Sequence, residues 1–196
     1  MTLVPLGLPS WERSRRAVDK VKNRLLRATA ALEKAGVPYM VVGGNAVAVW
    51  VGRVDEGAVR YTQDVDLLIS RCDLEVIRAA LEAEGFVYRH VASLDIFLDG
   101  PDARPRDAVR LVFAGERVRP DHVMPAPEIA ESEPSEAFRV VRLDALVRMK
   151  LTSFRDKDRT HLRDMIDVGL VDASWLPRLP EVLRPRLQVL LDTPDG

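Results

Sequence analysis

The chain has 196 residues, 47% of them hydrophobic and 30% charged, with a formal net charge of -1. Near-neutrality argues against a dedicated nucleic-acid coat or membrane-surface protein, though it leaves room for a local basic patch. No apolar run reaches the ~20 residues of a membrane span, the N-terminus has no basic region followed by an apolar stretch and so reads as no signal peptide, and one cysteine, Cys72, can form neither an internal disulfide nor a thiolate metal site, so a cytoplasmic setting is expected.

From Trp11 to Ala35 an apolar stripe at Val18, Val21, Leu25, Ala28 and Leu32 predicts a helix, with Ser10 as N-cap and Gly36 as C-cap. Val37 to Val42 reads as a buried strand ended by Gly43-Gly44, and Asn45 to Val51 as a short buried helix. Arg60 to Gln63 is a polar approach to a second strand, Asp64 to Ile69. Asp73 is the expected cap of a third helix with Leu74, Ile77 and Leu81 inside and Gly85 at its end. Phe86 to Arg89 and Ser93 to Leu98 look extended, 100–105 is turn-rich, and Val109 to Phe113 is another strand closed by Gly115. Residues 119–136, with four prolines and no periodicity, read as an ordered loop or linker. A strand at Phe138 to Val141 leads into helices over Leu143 to Phe154 and about Asp158 to Val168. The tail, broken at Pro177, Pro180 and Pro185, holds one or two short helices packed on the body through Leu187, Val189 and Leu190. The alternation predicts an α/β (α+β) fold, a small mixed β-sheet flanked by helices. We expect one domain over 1–196, with a core at about 25–118, a linker at about 119–137 and closing strand and helices at 138–196.

Asp64 and Asp66 lie two apart on a predicted strand, so both carboxylates share one face, with Val65 and Leu67 on the other. Adjacent carboxylates repel and need a balancing charge. Mg²⁺ supplies it well, since it takes oxygen ligands, often one or two carboxylates plus substrate phosphates; a solvated strand end is the bland alternative. Gly43-Gly44 sits at a strand–helix turn, where backbone N–H groups and the helix N-terminus favour an anion.

Together, Gly43-Gly44-Asn45-Ala46 followed by Arg60-x-Thr62-x-Asp64-Val65-Asp66-Leu67 resembles the nucleotidyltransferase signature of the DNA polymerase β superfamily. Within it, the sequence is most similar to bacterial minimal nucleotidyltransferases and AbiEii-like toxin components. The run Leu143 to Lys150, then Arg155-x-Lys157-Asp158 and Asp164, resembles their closing helices, and the likeness spans roughly 25–170. The resemblance implies a nucleotidyltransferase-like fold with closing C-terminal helices. It also implies Mg²⁺-dependent transfer of a nucleoside monophosphate from an NTP such as ATP to a protein or RNA hydroxyl. Asp64 and Asp66 would be catalytic and bind Mg²⁺. Gly43, Gly44, Asn45, Arg60, Thr62, Lys150 and Lys157 would contact the nucleotide. A cognate toxin–antitoxin partner is a further implication.

Such proteins add a third carboxylate from a later strand, and here Arg110 stands in that place. Asp107, three positions earlier, falls on the opposite face about 10 Å away at ~3.3 Å per residue; Asp95 is another donor of unknown register. Arg110 beside Asp64 and Asp66 would neutralise the pair and leave a catalytically impaired binding or regulatory module. Alternatively it faces elsewhere and contacts phosphate.

With 24 Arg and only 5 Lys in the chain, each lysine stands out. Lys150 points along the apolar face of its helix and Asp158 inward on the next, so they form either a structural pair or a phosphate site. His90, His122 and His161 are scattered and read as packing or solvent residues, and Cys72 as an inert buried thiol.

Overall fold

The structure, a computed structural model, describes residues 10–194; the N-terminal stretch on which the absence of a signal peptide was expected falls largely outside them. The first stripe folds as α1 (Ser10–Lys34), and Gly36 turns out of it at φ +66, a left-handed conformation that glycine takes without strain. The chain continues through β1 (Tyr39–Val42), α2 (Gly43–Gly52), β2 (Val65–Ile69), α3 (Leu74–Ala83), β3 (Val87–Val91), β4 (Leu94–Leu98) and β5 (Ala108–Phe113). It closes with β6 (Ser132–Pro134), β7 (Arg139–Val141), α4 (Leu143–Ser153), α5 (Asp156–Asp167) and α6 (Arg184–Asp192).

The strands form one mixed sheet in the order β3-β4-β5-β2-β1-β7-β6. The central pairs are β1–β2 antiparallel and β2–β5 parallel, in a register that aligns Val42, Asp66, Arg110 and Ile96 across four strands. Aligned residues point to the same face. On the opposite face, Val65, Leu67, Val109, Leu111 and Phe97 are buried under α1 and α3. On the site's own face, Met40, Val42 and Leu68 pack with α2, α4, α5 and α6. Two apolar layers therefore clamp the sheet, and Asp66 and Arg110 lie beyond the second layer, which meets β2 and β5 only further along, at Leu68 and Val112.

Several expectations are corrected. The 119–137 segment contains β6, an edge strand paired with β7; three residues are too few to show a period. Asp73 makes no capping hydrogen bond to α3. Cys72 is exposed, its Sγ 2.9 Å from Ser70 Oγ, because it sits in a surface turn ahead of α3. In the tail, Leu183, Leu187 and Leu190 make the buried stripe and Val189 faces solvent, since helical spacing turns it away. Arg186 Nη1 donates to the carbonyls of Leu151 and Thr152, both at 2.7 Å, and so satisfies the open end of α4. No helix among the described residues is long and apolar enough to cross a membrane.

Candidate functional site

The site forms where β1 runs into α2 beside the start of β2. Gly43 opens α2 at φ +70, and a Cβ there would overlap the Asp66 Oδ2 and lie 2.9 Å from its Cγ. A Cβ on Gly44 would lie 2.8 Å from the Thr62 Cβ. Only glycines let this turn approach the strand so closely. Asn45 Nδ2 donates to the Asp64 carbonyl at 2.7 Å, tying the first turn of α2 to the strand's beginning. The N-terminus of α2 has no side-chain cap, so its first N–H groups remain open for an anion.

Asp64 and Asp66 share a face, as period two requires, but their surroundings differ. Arg110 Nη2 lies 2.9 Å from Asp64 Oδ1, and Lys157 Nζ lies 3.1 Å from Asp64 Oδ2. Arg110 therefore faces the acids. Both cations are substantially exposed, so each pair is worth on the order of 1 kcal/mol or less and opens readily. Asp66 receives no hydrogen bond or ion pair among the described residues. It keeps some access to solvent, yet burial against Gly43 pushes its carboxyl pKa up. Arg110 opposes that rise through space, Asp64 adds to it, and Lys150 and Lys157 oppose it more weakly. A carboxylate whose charge is incompletely met is a place for an added cation. With Asp64 at its side it suits Mg²⁺ bound through one or two carboxylates plus substrate phosphates.

The expected site residues separate into two groups. Gly43, Gly44, Asn45, Thr62, Asp64, Asp66 and Lys157 come together around the end of β1, and Lys157 Nζ also lies 3.5 Å from Thr62 Oγ1. Lys150 is beneath them, buried, with its ammonium 3.0 Å from Asp158 Oδ1. Desolvation lowers its pKa against the pull of Asp158 and Asp66. Arg60 is at the rim, its Nε 2.7 Å from the buried Asp164. The Arg60–Asp164 pair spans 104 positions, and its only sequence signal was the presence of both residues in the resembling motifs.

The other candidate carboxylates are committed elsewhere. Asp95 pairs with His90 on β3, one position off the Ile96–Arg110 register, and so faces away from the site. It accepts from Tyr88 at 2.5 Å and contacts His90 Nδ1 at 2.9 Å. Asp107 meets the buried Arg24 at 3.4 Å, and Arg24 also holds Asp99. A cavity of about 400 Å³ lies elsewhere, toward the far ends of α2 and α4, between Trp50, Leu143, Trp175 and Arg178.

Comparison with known proteins bears on the family and the fold. The family described as nucleotidyl transferase AbiEii toxin, type IV TA system, matches residues 24–189. No curated protein matches the sequence. Among solved structures, an antigenic nucleotidyltransferase-like protein from Paracoccidioides brasiliensis superposes with a TM-score of 0.58 at 16% identity, over 90% of each chain. The solution structure of the antibiotic-resistance factor ANT(2'')-Ia gives 0.54 at 14% identity, over 91% of this chain and 95% of that one. ANT(2'')-Ia in complex with adenylyl-2''-tobramycin gives 0.51 at 16% identity, over 83% and 94%. At these identities the likeness concerns the fold.

Proposed function

The chain belongs to the AbiEii nucleotidyl transferase toxin family, and from that premise we propose that it transfers a nucleoside monophosphate from an NTP to a hydroxyl of a protein or an RNA. The observation that carries the reading is the approach of Gly43 to Asp66 at the open N-terminus of α2. That approach sets an anion-binding turn directly against a paired carboxylate site.

The phosphates of the NTP would lie on the N–H groups of Gly43 and Gly44. Lys157 is half-exposed and, among the described residues, held only by Asp64 and Thr62, so it can turn from them onto a phosphate oxygen. Asp64 and Asp66 would hold Mg²⁺, which when bound neutralises phosphate charge and orients the triphosphate. Asn45 keeps the Asp64 backbone in place through its carbonyl. The acceptor hydroxyl oxygen forms a bond to the α-phosphorus, the bond to pyrophosphate breaks, and the hydroxyl proton leaves to solvent. A cognate antitoxin is the partner that the family's description suggests.

The test is incubation with Mg²⁺ and each of the four labelled NTPs, followed by a search for label on protein and RNA. Label that disappears in Asp64→Ala supports transfer. No transfer with any NTP, and no Mg–NTP binding by calorimetry, overturns it. The Arg110–Asp64 ion pair favours a second reading, a binding or regulatory module that takes an NTP without transferring it; calorimetric binding without transfer selects that one.

A further inference from the structure

We propose that Arg110 is a fixed positive charge standing in the place of a second divalent cation, so that the centre takes one cation together with its nucleotide and a phosphate oxygen meets the guanidinium. The inference rests on the nucleotide-binding reading above and assigns a role to one residue within it.

Three observations carry it. Arg110 is opposite Asp66 in the β2–β5 register, at the floor of the site, and its Nη2 reaches Asp64 at 2.9 Å. A strand residue at that position is held by the ladder on both sides, since β5 pairs with β2 and β4. Next, the guanidinium makes no hydrogen bond within the described residues beyond this ion pair. Most of its planar N–H donors are therefore free for a phosphate oxygen, the acceptor that a guanidinium fork matches best. Finally, the described residues contain no group of three His, Cys, Asp or Glu side chains that could hold a metal ion. Asp95 faces away, Asp107 serves Arg24, Asp164 serves Arg60, and Asp158 already takes Lys150, Ser153 and Arg155. A second cation would have to lie against a guanidinium and share Asp64, whose two oxygens both face cations. The guanidinium and the first cation together place more positive charge beside it than one shared carboxylate offsets. Asp66, with no partner of its own among the described residues, remains the open ligand for the first.

The charge arithmetic then differs from that of a two-cation centre. Arg110 cannot lose its proton, so its charge is present at every working pH and metal concentration. It also cannot activate a hydroxyl by binding it as a Lewis acid. Its part is to position the phosphoryl group and offset charge there.

Equilibrium dialysis of the whole chain against Mn²⁺ and a non-hydrolysable α,β-methylene NTP counts bound metal without any turnover. Wild type is expected to retain one Mn²⁺ per chain, and Arg110→Asp two. Arg110→Gln adds no carboxylate, so it should keep one Mn²⁺ and bind the analogue about tenfold more weakly, the size of a lost charge-assisted contact. Circular dichroism and thermal unfolding establish that each variant folds. Two Mn²⁺ on wild type overturn the inference while leaving nucleotide binding intact, and so does an unchanged count in folded Arg110→Asp. If Arg110→Asp does not fold, unchanged analogue affinity in Arg110→Gln overturns it. Wild type that retains neither analogue nor metal overturns the nucleotide reading, and this inference with it.

Discussion

Two carboxylates of this protein both act on Lys150 and are treated in opposite ways. Asp158 is 1% exposed, yet it accepts from Lys150 at 3.0 Å, Ser153 at 2.6 Å and Arg155 at 2.9 Å. Desolvation alone would raise its pKa, but Lys150, Arg155 and Ser153 outweigh it and hold the carboxyl well below the ordinary range. Asp66 also feels desolvation first, and nothing among the described residues donates to it, so its pKa rises. The saturated carboxylate braces α4 against α5. The unsaturated one destabilises the fold by itself, and a bound cation would offset that. Burial alone does not tell a structural acid from a functional one; the count of donors does.

Breaking the saturated member should give the largest effect. Asp158→Ala leaves Lys150 buried without its partner, and losing one side of a buried pair costs about 3–5 kcal/mol. Urea unfolding should show the loss, and the double variant with Lys150→Met should regain much of it. The sign with pH follows from the depressed folded pKa: the stabilisation is present above the unfolded value of 3.8 and vanishes as pH falls through the folded one. A single variant as stable as wild type would mean that the pair braces nothing.

Breaking the unsaturated member should do the reverse. Asp66→Asn is expected to lower nucleotidyl transfer by about 100-fold or more, the order seen when a group that manages transition-state charge is lost. Its melting temperature at neutral pH should hold or rise. The raised folded pKa means that ionised Asp66 opposes folding, a penalty that grows as pH rises above the unfolded value. A variant that loses stability in step with activity would make Asp66 a structural residue.

Gly43→Ala tests the close approach itself. A left-handed backbone at φ +70 costs a non-glycine residue about 1–2 kcal/mol, and the added Cβ must displace the Asp66 carboxylate. Calorimetry should show weaker Mg–NTP binding in Gly43→Ala than in Gly36→Ala. Gly36 also has positive φ, but open space surrounds it, so it serves as the backbone-only control. Equal binding by the two would show that the strand does not need the approach.

How much of this contrast the sequence could show depends on the range of each interaction. The shared face of Asp64 and Asp66 follows from the pleat, and the inward aim of Lys150 and Asp158 from helical periodicity, so both were legible. The family resemblance located the third-acid position, and it is what made Arg110 conspicuous. Pairings set by strand order were not legible. Arg60 with Asp164 and Arg24 with Asp99 and Asp107 depend on where whole elements land. The donor count at Asp66 was hidden for the same reason, because its neighbours come from β1, α2, β5, α4 and α5.

His161 offers the smallest and most specific probe of the layer beneath the site. It is buried on α5 with Nδ1 unpartnered among the described residues. Desolvation, followed by Lys150 and Lys157, lowers its pKa to about 4. The unfolded chain therefore takes up a proton near pH 6.5 that the folded chain refuses until about pH 4, so stability falls as pH drops through that interval. The acids with depressed pKa values act at and below their ordinary values of 3.8 and 4.5, so between pH 7 and 5 the companions to control are His122, also lowered by burial, and Asp66, whose raised pKa acts with the opposite sign. Denaturant midpoints at pH 7 and pH 5 should differ less in His161→Gln than in wild type, with His122→Gln run beside it. If His161→Gln keeps the whole pH 7-to-5 loss, the imidazole is not held neutral under the site, and the cationic layer formed by Lys150 and Lys157 is weaker than their placement implies.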